Sequence, residues 1–326
     1  VTAVEYLDQL GKAPAGGSGP FDRAEWWALL VRHAGARPLF ARVSNGDATA
    51  LLALRKEGAT LRALSNWYTF RWRPLISPGA PAPDLLDAIA RDLPHHGWRL
   101  TLDQVPDEDG SATLLADALR RAGWRVSMDP HDLNHVLPLA GRSYAEYLAS
   151  RPGALRTTLK RRTAKVETRV LDHFEENVWR EYEAIYAASW KPEEGLPAML
   201  EDFARAEGAA GRLRLGIAHI DGQPVAAQFW TVESGTAWIH KLAHRDDAKA
   251  MSPGTVLSAA LFARVIDGDG VTLVDFGTGD NPYKRDWMDE IRPRYRIDAV
   301  WPRAPRAWLH GAVQIARRLA GRGPRR

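Results

Sequence analysis

Ser252-Pro253-Gly254-Thr255 stands between two apolar stretches of different period. Thr236 to His244 reads as a strand, and Val256 to Ile266 reads as a helix. A strand, a polar loop, a small-residue turn and a helix together build a site for a pyrophosphate. The first amides of a helix have no internal acceptor, and the helix dipole adds partial positive charge there. Ser252 has an N-cap side chain, Pro253 suits the first helical position, and Gly254 lets a ligand approach the backbone. Lys249 can add charge to a phosphate contact, and His244 stands close before the loop. On the strand, His240 offers an imidazole that titrates near neutral pH, sharing one face with Trp238 and Leu242. Past the helix, Asp275 lies in a further strand, Val271 to Phe276, Asp280, Tyr283, Lys284 and Arg285 follow it, and Arg294 comes soon after. Each has an ordinary use beside the chemical one. A histidine packs in a core, an aspartate near glycine caps a turn, a tyrosine packs beside Trp287, and lysines and arginines cover a solvated face.

The elements that carry these residues occur twice. Pro38 to Val43, Ala48 to Leu54 and Thr60 to Leu64 read as strands separated by Asn45-Gly46 and Glu57-Gly58. A turn dipeptide such as Asn-Gly between apolar runs is a strong hairpin signal. Arg214 to Ile220, Val225 to Val232 and Ala237 to Leu242 repeat the order, separated by Asp221-Gly222 and Ser234-Gly235. Gly46 and Gly58 precede Gly222 and Gly235 by 176 and 177 residues. Arg99 to Asp103 likewise resembles Gly270 to Asp275. The pattern predicts two copies of one α/β unit, each an antiparallel meander followed by a helix and a further strand. The helices are Pro83 to Leu93 in the first copy and Thr255 to Ile266 in the second. Ser143 to Ser150, Pro152 to Val166, Glu175 to Trp190 and Pro197 to Glu207 are further helices of the second copy. Where the second has its Ser-Pro-Gly-Thr turn, the first has the aromatic segment Ser65 to Trp72. The second copy is therefore expected to hold the chemistry, and the first to support structure or bind acceptor. The division is 1–138, 139–302 and a basic tail, 303–326.

Composition bounds the chemistry further. The chain has 326 residues, 45% of them apolar, which suits a globular core. It has no cysteine, so disulfides, thiolate metal sites and cysteine nucleophiles are excluded. The ten histidines form no spaced ligand set, so no metal is expected, and no Gly-x-Ser-x-Gly elbow occurs. Neither a secretory signal nor a spanning apolar run is evident, which fits a cytoplasmic protein. The net charge is only +4, yet Arg151, Arg156, Lys160, Arg161, Arg162 and Lys165 fall together with no acid between them. No acid follows Asp298 either, while seven arginines do. Such asymmetry suits anionic partners. Trp308, Ala312, Ile315, Ala316 and Leu319 form an apolar stripe in the tail. This predicts a basic amphipathic helix that meets a membrane interface at its inner face.

These residues together resemble the GNAT superfamily of acyl-CoA N-acyltransferases, in its FemAB/CelD-like branch of tandem GNAT domains. The resemblance covers most of the chain. It rests on Tyr147-Leu148 with Arg156, Leu159, Arg161 and Arg162, on Gly222 to Ala227, on Ser252 to Thr255, and on Asp275 to Lys284. It implies an α/β fold of tandem units, each a mixed, mostly antiparallel sheet flanked by helices. It also implies coenzyme A as donor, its pyrophosphate on the backbone of Asp247 to Thr255, with His244, Lys249, Ser252, Gly254 and Thr255 as the binding residues. Family members commonly carry more glycines at this loop than the one here.

The implied reaction is amide formation from a thioester. An amine loses a proton, the carbonyl is held and polarised, and the thiolate is protonated as it leaves. His240 is the candidate base, and Tyr283, by the resemblance, the thiolate acid. Asp275 binds the acceptor amine or orients His240. Trp190, Trp230, Asp280 and Lys284 are the candidate substrate contacts. Thirteen tryptophans suit an apolar acceptor cleft. With the basic tail they point to a lipid-like amine such as a sphingoid base, as in bacterial ceramide synthases of this branch. The alternatives are a FemX-like peptidyltransferase using aminoacyl-tRNA, acylation of an exported polysaccharide, and a non-catalytic module that keeps the fold. A FemX-like coiled-coil arm has no heptad run here, so nucleic acid is not the expected partner.

Overall fold

A computed structural model describes residues 3–11, 13 and 16–304. The tail helix expected after residue 304 lies outside them. The chain divides into two compact units. One comprises Val1–Gly17, Phe21–Asp132 and Pro293–Arg326, the other Ser18–Pro20 and Leu133–Arg292. The boundary drawn at 138/139 stands six residues after the division at Asp132/Leu133, which falls inside a strand, because Asn134–Pro138 already pairs within the second unit.

The first unit begins with β1 (Val4–Leu7), α1 (Ala24–Ala34), β2 (Pro38–Asn45), β3 (Ala48–Glu57), β4 (Thr60–Ala63) and β5 (Leu75–Ile76). It continues through α2 (Ala82–Asp92), β6 (Arg99–Val105), α3 (Ser111–Ala122) and the start of β7 (Arg125–Pro138). The second unit holds α4 (Tyr144–Ala149), α5 (Gly153–Arg162), β8 (Glu167–Leu171), α6 (Glu176–Ala187) and α7 (Pro197–Ala209). It then runs through β9 (Leu213–Ile220), β10 (Gln223–Glu233), β11 (Thr236–His244), α8 (Pro253–Ala263), β12 (Leu273–Thr278) and α9 (Pro282–Arg285). The last strand, β13 (Glu290–Val300), returns most of its length to the first unit.

The duplicated order is present. In the first unit β2, β3 and β4 form an antiparallel meander, α2 follows, and β6 returns parallel to β4. In the second, β9, β10 and β11 form the meander, α8 follows, and β12 returns parallel to β11. The strand orders are β1-β2-β3-β4-β6-β13 and β7-β12-β11-β10-β9-β8. Asp221-Gly222 and Ser234-Gly235 each place two consecutive residues at positive φ (50° and 75°, 50° and 73°). Two left-handed residues make the tight turn whose twist suits a hairpin.

In the first unit Leu86, Ile89, Leu115 and Leu119 of α2 and α3 share one core with Leu52, Leu54 and Leu100 of the sheet. The aromatic segment after β4 belongs to that unit's interior. Tyr68, Phe70 and Trp72 are buried, and the Trp72 indole donates to the Ala53 carbonyl at 2.7 Å. The second unit covers its sheet on both faces. Leu257, Leu261 and Phe262 of α8 pack with Ala226, Trp230 and Ile239, and Trp179 of α6 and Phe203 of α7 pack on Phe229 from the other face. At Gly216 a Cβ would lie 2.9 Å from Leu261 Cδ1 and 3.0 Å from Leu257 Cδ1, so α8 sits against bare β9 backbone.

Candidate active site

The two copies differ where a parallel pair ends. In the second unit β11 and β12 pair only at Thr236–Leu273, Ala237–Val274 and Trp238–Asp275. β11 then runs on to His244 along β10, while Thr278 of β12 pairs with Asn134 of β7. The two strands therefore part after Trp238 and Asp275. In the first unit β4 ends at Ala63 and has no such extension.

His240 sits at an irregularity in the open part of β11. Phe229 pairs with Lys241 and Trp230 with Ile239, which leaves His240 as the extra residue of a bulge. The bulge breaks the expected alternation. His240 lies between the Phe203 and Phe229 rings, at 5.1 and 5.0 Å, with Nε2 2.8 Å from Thr231 Oγ1. Lys241 reaches the α6 side as well, while Leu242 packs with the α8 core. Leu242 and His240 thus do not share a face, because one inserted residue inverts the side-chain pattern beyond it.

The loop after β11 leads through a short helical turn, Asp246–Met251, into α8. Ser252 has a left-handed backbone (φ 54°) and makes no side-chain capping bond, contrary to its expected N-cap role. Its carbonyl instead accepts from Thr255 and Val256 at 3.1 and 3.2 Å. Pro253 has no N–H, so Gly254 presents the first amide of α8. Among the described residues that amide makes no backbone hydrogen bond. His244 and Trp190 flank it. A Cβ on Gly254 would be 3.5 Å from His244 Cδ2, and the His244 and Trp190 rings lie 4.4 Å apart. Trp190, half-exposed and expected on the acceptor side, is thus beside the Ser252–Thr255 turn. Lys249 is exposed on the preceding turn. Arg162, at the end of α5, places its guanidinium 3.3 Å from Met251 Sδ, a cation at this loop that local sequence does not reveal.

The residues after β12 form a brace. Asp275 is buried and accepts from the Gly277 amide at 2.8 Å and from Asn134 Nδ2 at 2.9 Å. Both carboxylate oxygens are thereby used in shaping the strand end, and none orients His240. Lys284 is buried too, its ammonium donating to the Gly277 and Thr278 carbonyls at 3.0 and 2.6 Å. Asp280 accepts from Arg285 at 2.5 Å and lies 3.1 Å from Nε2 of buried His135. The Arg285 guanidinium holds the Asp280 carboxyl below its usual range. Burial, with the Lys284 charge next, pulls the His135 imidazole down. Asp280 and Lys284 are committed to protein partners rather than to substrate. Trp230 is fully buried, donates to Gln228 and meets Phe262 edge-on at 5.1 Å, so it presents no surface to an acceptor. Arg294 is buried with Glu108 at 2.9 Å in the first unit. Tyr283 remains 42% exposed, edge-on to Phe276 at 5.6 Å, just where β12 has left β11. Burial pushes its phenol up to about 12, so it holds its proton at neutral pH.

The sequence reading missed a cleft of about 460 Å³ lined by α6, the 191–197 loop and the start of α7. Trp179, Tyr182, Tyr186 and Leu200 make its apolar wall. Lys241 reaches from the open part of β11 to Glu194 at 2.7 Å, a largely buried ion pair. Burial lowers Lys241, and Glu194 opposes this. Burial, with the Glu194 charge and hydrogen bond, pushes the Tyr186 phenol up to about 12. Lys191 projects among these groups, its ammonium 5.7 Å from the Tyr186 ring centre and 5.8 Å from that of Trp190. Among the described residues no helix is long and apolar enough to cross a membrane, and no group of three or more potential ligands could hold a metal.

Residues 140–285 match a family model described as an acetyltransferase (GNAT) domain. No curated protein matches the chain significantly. Solved structures do. FemX is 11% identical with a TM-score of 0.62, over 90% of this chain and 96% of its own. L-PGS from Bacillus licheniformis is 15% identical with a TM-score of 0.54, over 97% and 99%. A tandem GNAT protein from the clavulanic acid biosynthesis pathway is 14% identical with a TM-score of 0.52, over 91% and 98%. At these identities the likeness is one of fold.

Proposed function

We propose, from the GNAT acetyltransferase domain of residues 140–285, that this protein is an N-acyltransferase taking its acyl group from coenzyme A. The observation that carries this is the parting of β11 and β12 in the second unit, in the same unit as the bare α8 N-terminus. A pyrophosphate at the Gly254 amide would let the donor run toward the open strand edges. Backbone groups there would hold the thioester carbonyl. The acceptor amine attacks that carbon, a C–N bond forms, the C–S bond breaks, and the thiolate takes a proton. Tyr283 is the candidate donor of that proton. His240 is the candidate acceptor of the ammonium proton, being the bulge residue of the open strand, although Phe203 and Phe229 confine it.

The acceptor is proposed to be an amine with an apolar segment, because the cleft wall is aromatic and aliphatic. The purified protein, given acyl-CoA of several chain lengths and a panel of amines including a sphingoid base, is expected to release CoA thiol. Retained CoA affinity without release on any amine would instead identify a non-catalytic module. Tyr283→Phe is expected to lower kcat by roughly 100-fold, with the donor KM unchanged, as loss of a general acid does. His240→Ala, measured alongside, tests the base, and unchanged kcat in both would overturn both roles. Arg162 at Met251 and the cations of α5 favour a second reading, an aminoacyl group carried on tRNA. Transfer of labelled aminoacyl groups without CoA would select it.

A further inference from the structure

We infer that the acceptor carries an anionic group, a carboxylate or a phosphate, near its amine, and that the Lys191 ammonium in the α6–α7 cleft binds this group. The inference rests on the acyl-transfer reading above and names the acceptor class of that site. Its observations are of charge and geometry. Lys191 and Glu194 line the cleft, and Lys241 reaches Glu194 from β11. Glu194 and Lys241 neutralise each other at 2.7 Å, with side chains only 13% and 14% exposed. Lys191 has no acid within 4.0 Å among the described residues, and its ammonium lies over the rings of Tyr186 and Trp190, 5.7 and 5.8 Å from their centres. Glu183 and Glu193 also line the cleft but are exposed, where solvent and salt screen them. A desolvated ammonium without a counter-ion is costly in the free protein. A ligand that brings an anion removes that cost, while Tyr182, Tyr186 and Leu200 cover its apolar part.

Titration bears on the same point. Burial pulls Lys191 down to about 8, the Lys241 and Lys284 charges add to this, and Glu194 opposes it. The groups facing it are therefore Lys241 of β11, Glu194 and Glu193 of the loop, Tyr186 and Glu183 of α6, and Lys284 of α9. Anion binding needs the charged form, so affinity is full below about pH 8 and falls as pH rises through it.

The test uses the full chain, an acyl-CoA, and three amines of one skeleton: phenylalanine, its phosphonate analogue and phenylalaninamide. The KM of an anionic amine is expected to be about 10- to 100-fold below that of the amide, the worth of a charge-assisted hydrogen bond. Carboxylate against phosphonate tells which anion is preferred. Lys191→Gln is expected to abolish the difference by raising KM for the anionic amines alone, with kcat kept. Lys191→Arg, which keeps the charge and does not lose its proton in this range, is expected to preserve it and to remove the rise in KM above about pH 8. Equal KM for anion and amide in the unaltered protein, or Lys191→Gln raising both alike, would overturn the inference. Turnover of the amide shows that the acyl-transfer reading stands independently. If no amine turns over, titration of tryptophan fluorescence with the same three compounds, in the unaltered protein and in Lys191→Gln, decides the anion site alone.

Discussion

Gly254→Val is expected to raise the KM for acyl-CoA at least about tenfold while leaving the unfolding midpoint near that of the unaltered protein. The backbone at this residue accepts a Cβ in ordinary contact. Gly254 does not have positive φ, and an added Cβ would meet only His244, at 3.5 and 4.0 Å, ordinary contact distances. What the side chain would meet is the ligand. Gly254 has the first N–H of α8, because Pro253 lacks one and Thr255 and Val256 already bond the Ser252 carbonyl. Losing one charge-assisted hydrogen bond costs about 1.5–3 kcal/mol, roughly a 10- to 150-fold change in affinity. The donor KM comes from CoA release, and the midpoint from circular dichroism. Gly254→Ala should shift KM the same way by less. An unchanged KM with Val in place would mean that the pyrophosphate does not lie on α8.

The second large effect is on stability. Asp275→Ala is expected to destabilise the protein by about 2–4 kcal/mol, since two buried donors, the Gly277 amide and Asn134 Nδ2, lose their acceptor. Denaturant midpoints measure it. Asp275→Asn separates bracing from chemistry. An asparagine oxygen can still accept from Gly277. Its NH₂ can donate to Asn134 Oδ1, a buried oxygen without a hydrogen bond in the present arrangement, once the Asn134 amide turns over. Most of the stability should then return, and with it kcat. If stability returns while kcat stays lost, the carboxylate acts in the reaction and the bracing role is insufficient.

The fold was largely legible in the sequence because its signals are local. Turn glycines, period-two strands and the near-constant spacing of Gly46 and Gly58 to Gly222 and Gly235 marked both meanders, and each is followed by its helix and parallel strand. The unit boundary was less legible. β7 and β13 each begin in one unit and end in the other, and no composition change marks a pairing partner. Of the site, the Ser252–Thr255 turn was readable because a helix N-terminus needs only consecutive residues. Asp275 was a catalytic candidate and Asp280 and Lys284 substrate contacts, and sequence could not show that they spend their charges on Gly277, Thr278, Arg285 and His135. Trp230 looked like a cleft residue until its packing on Phe262 was known.

What the sequence determined by itself is the duplicated α/β order and the half in which the Ser252–Thr255 turn opens a helix, both of which depend on neighbours along the chain. What only the tertiary structure decided is the bulge at His240, the parting of β11 from β12, and the Lys191–Glu194–Lys241 cleft. Those depend on register and burial. Lys191 and Lys241 lie fifty residues apart, and nothing in their neighbourhoods marks either as special. Folding brings Lys241 onto Glu194 and leaves the Lys191 ammonium beside that pair in the cleft, and only there does an ordinary surface residue type become a charge in need of a partner.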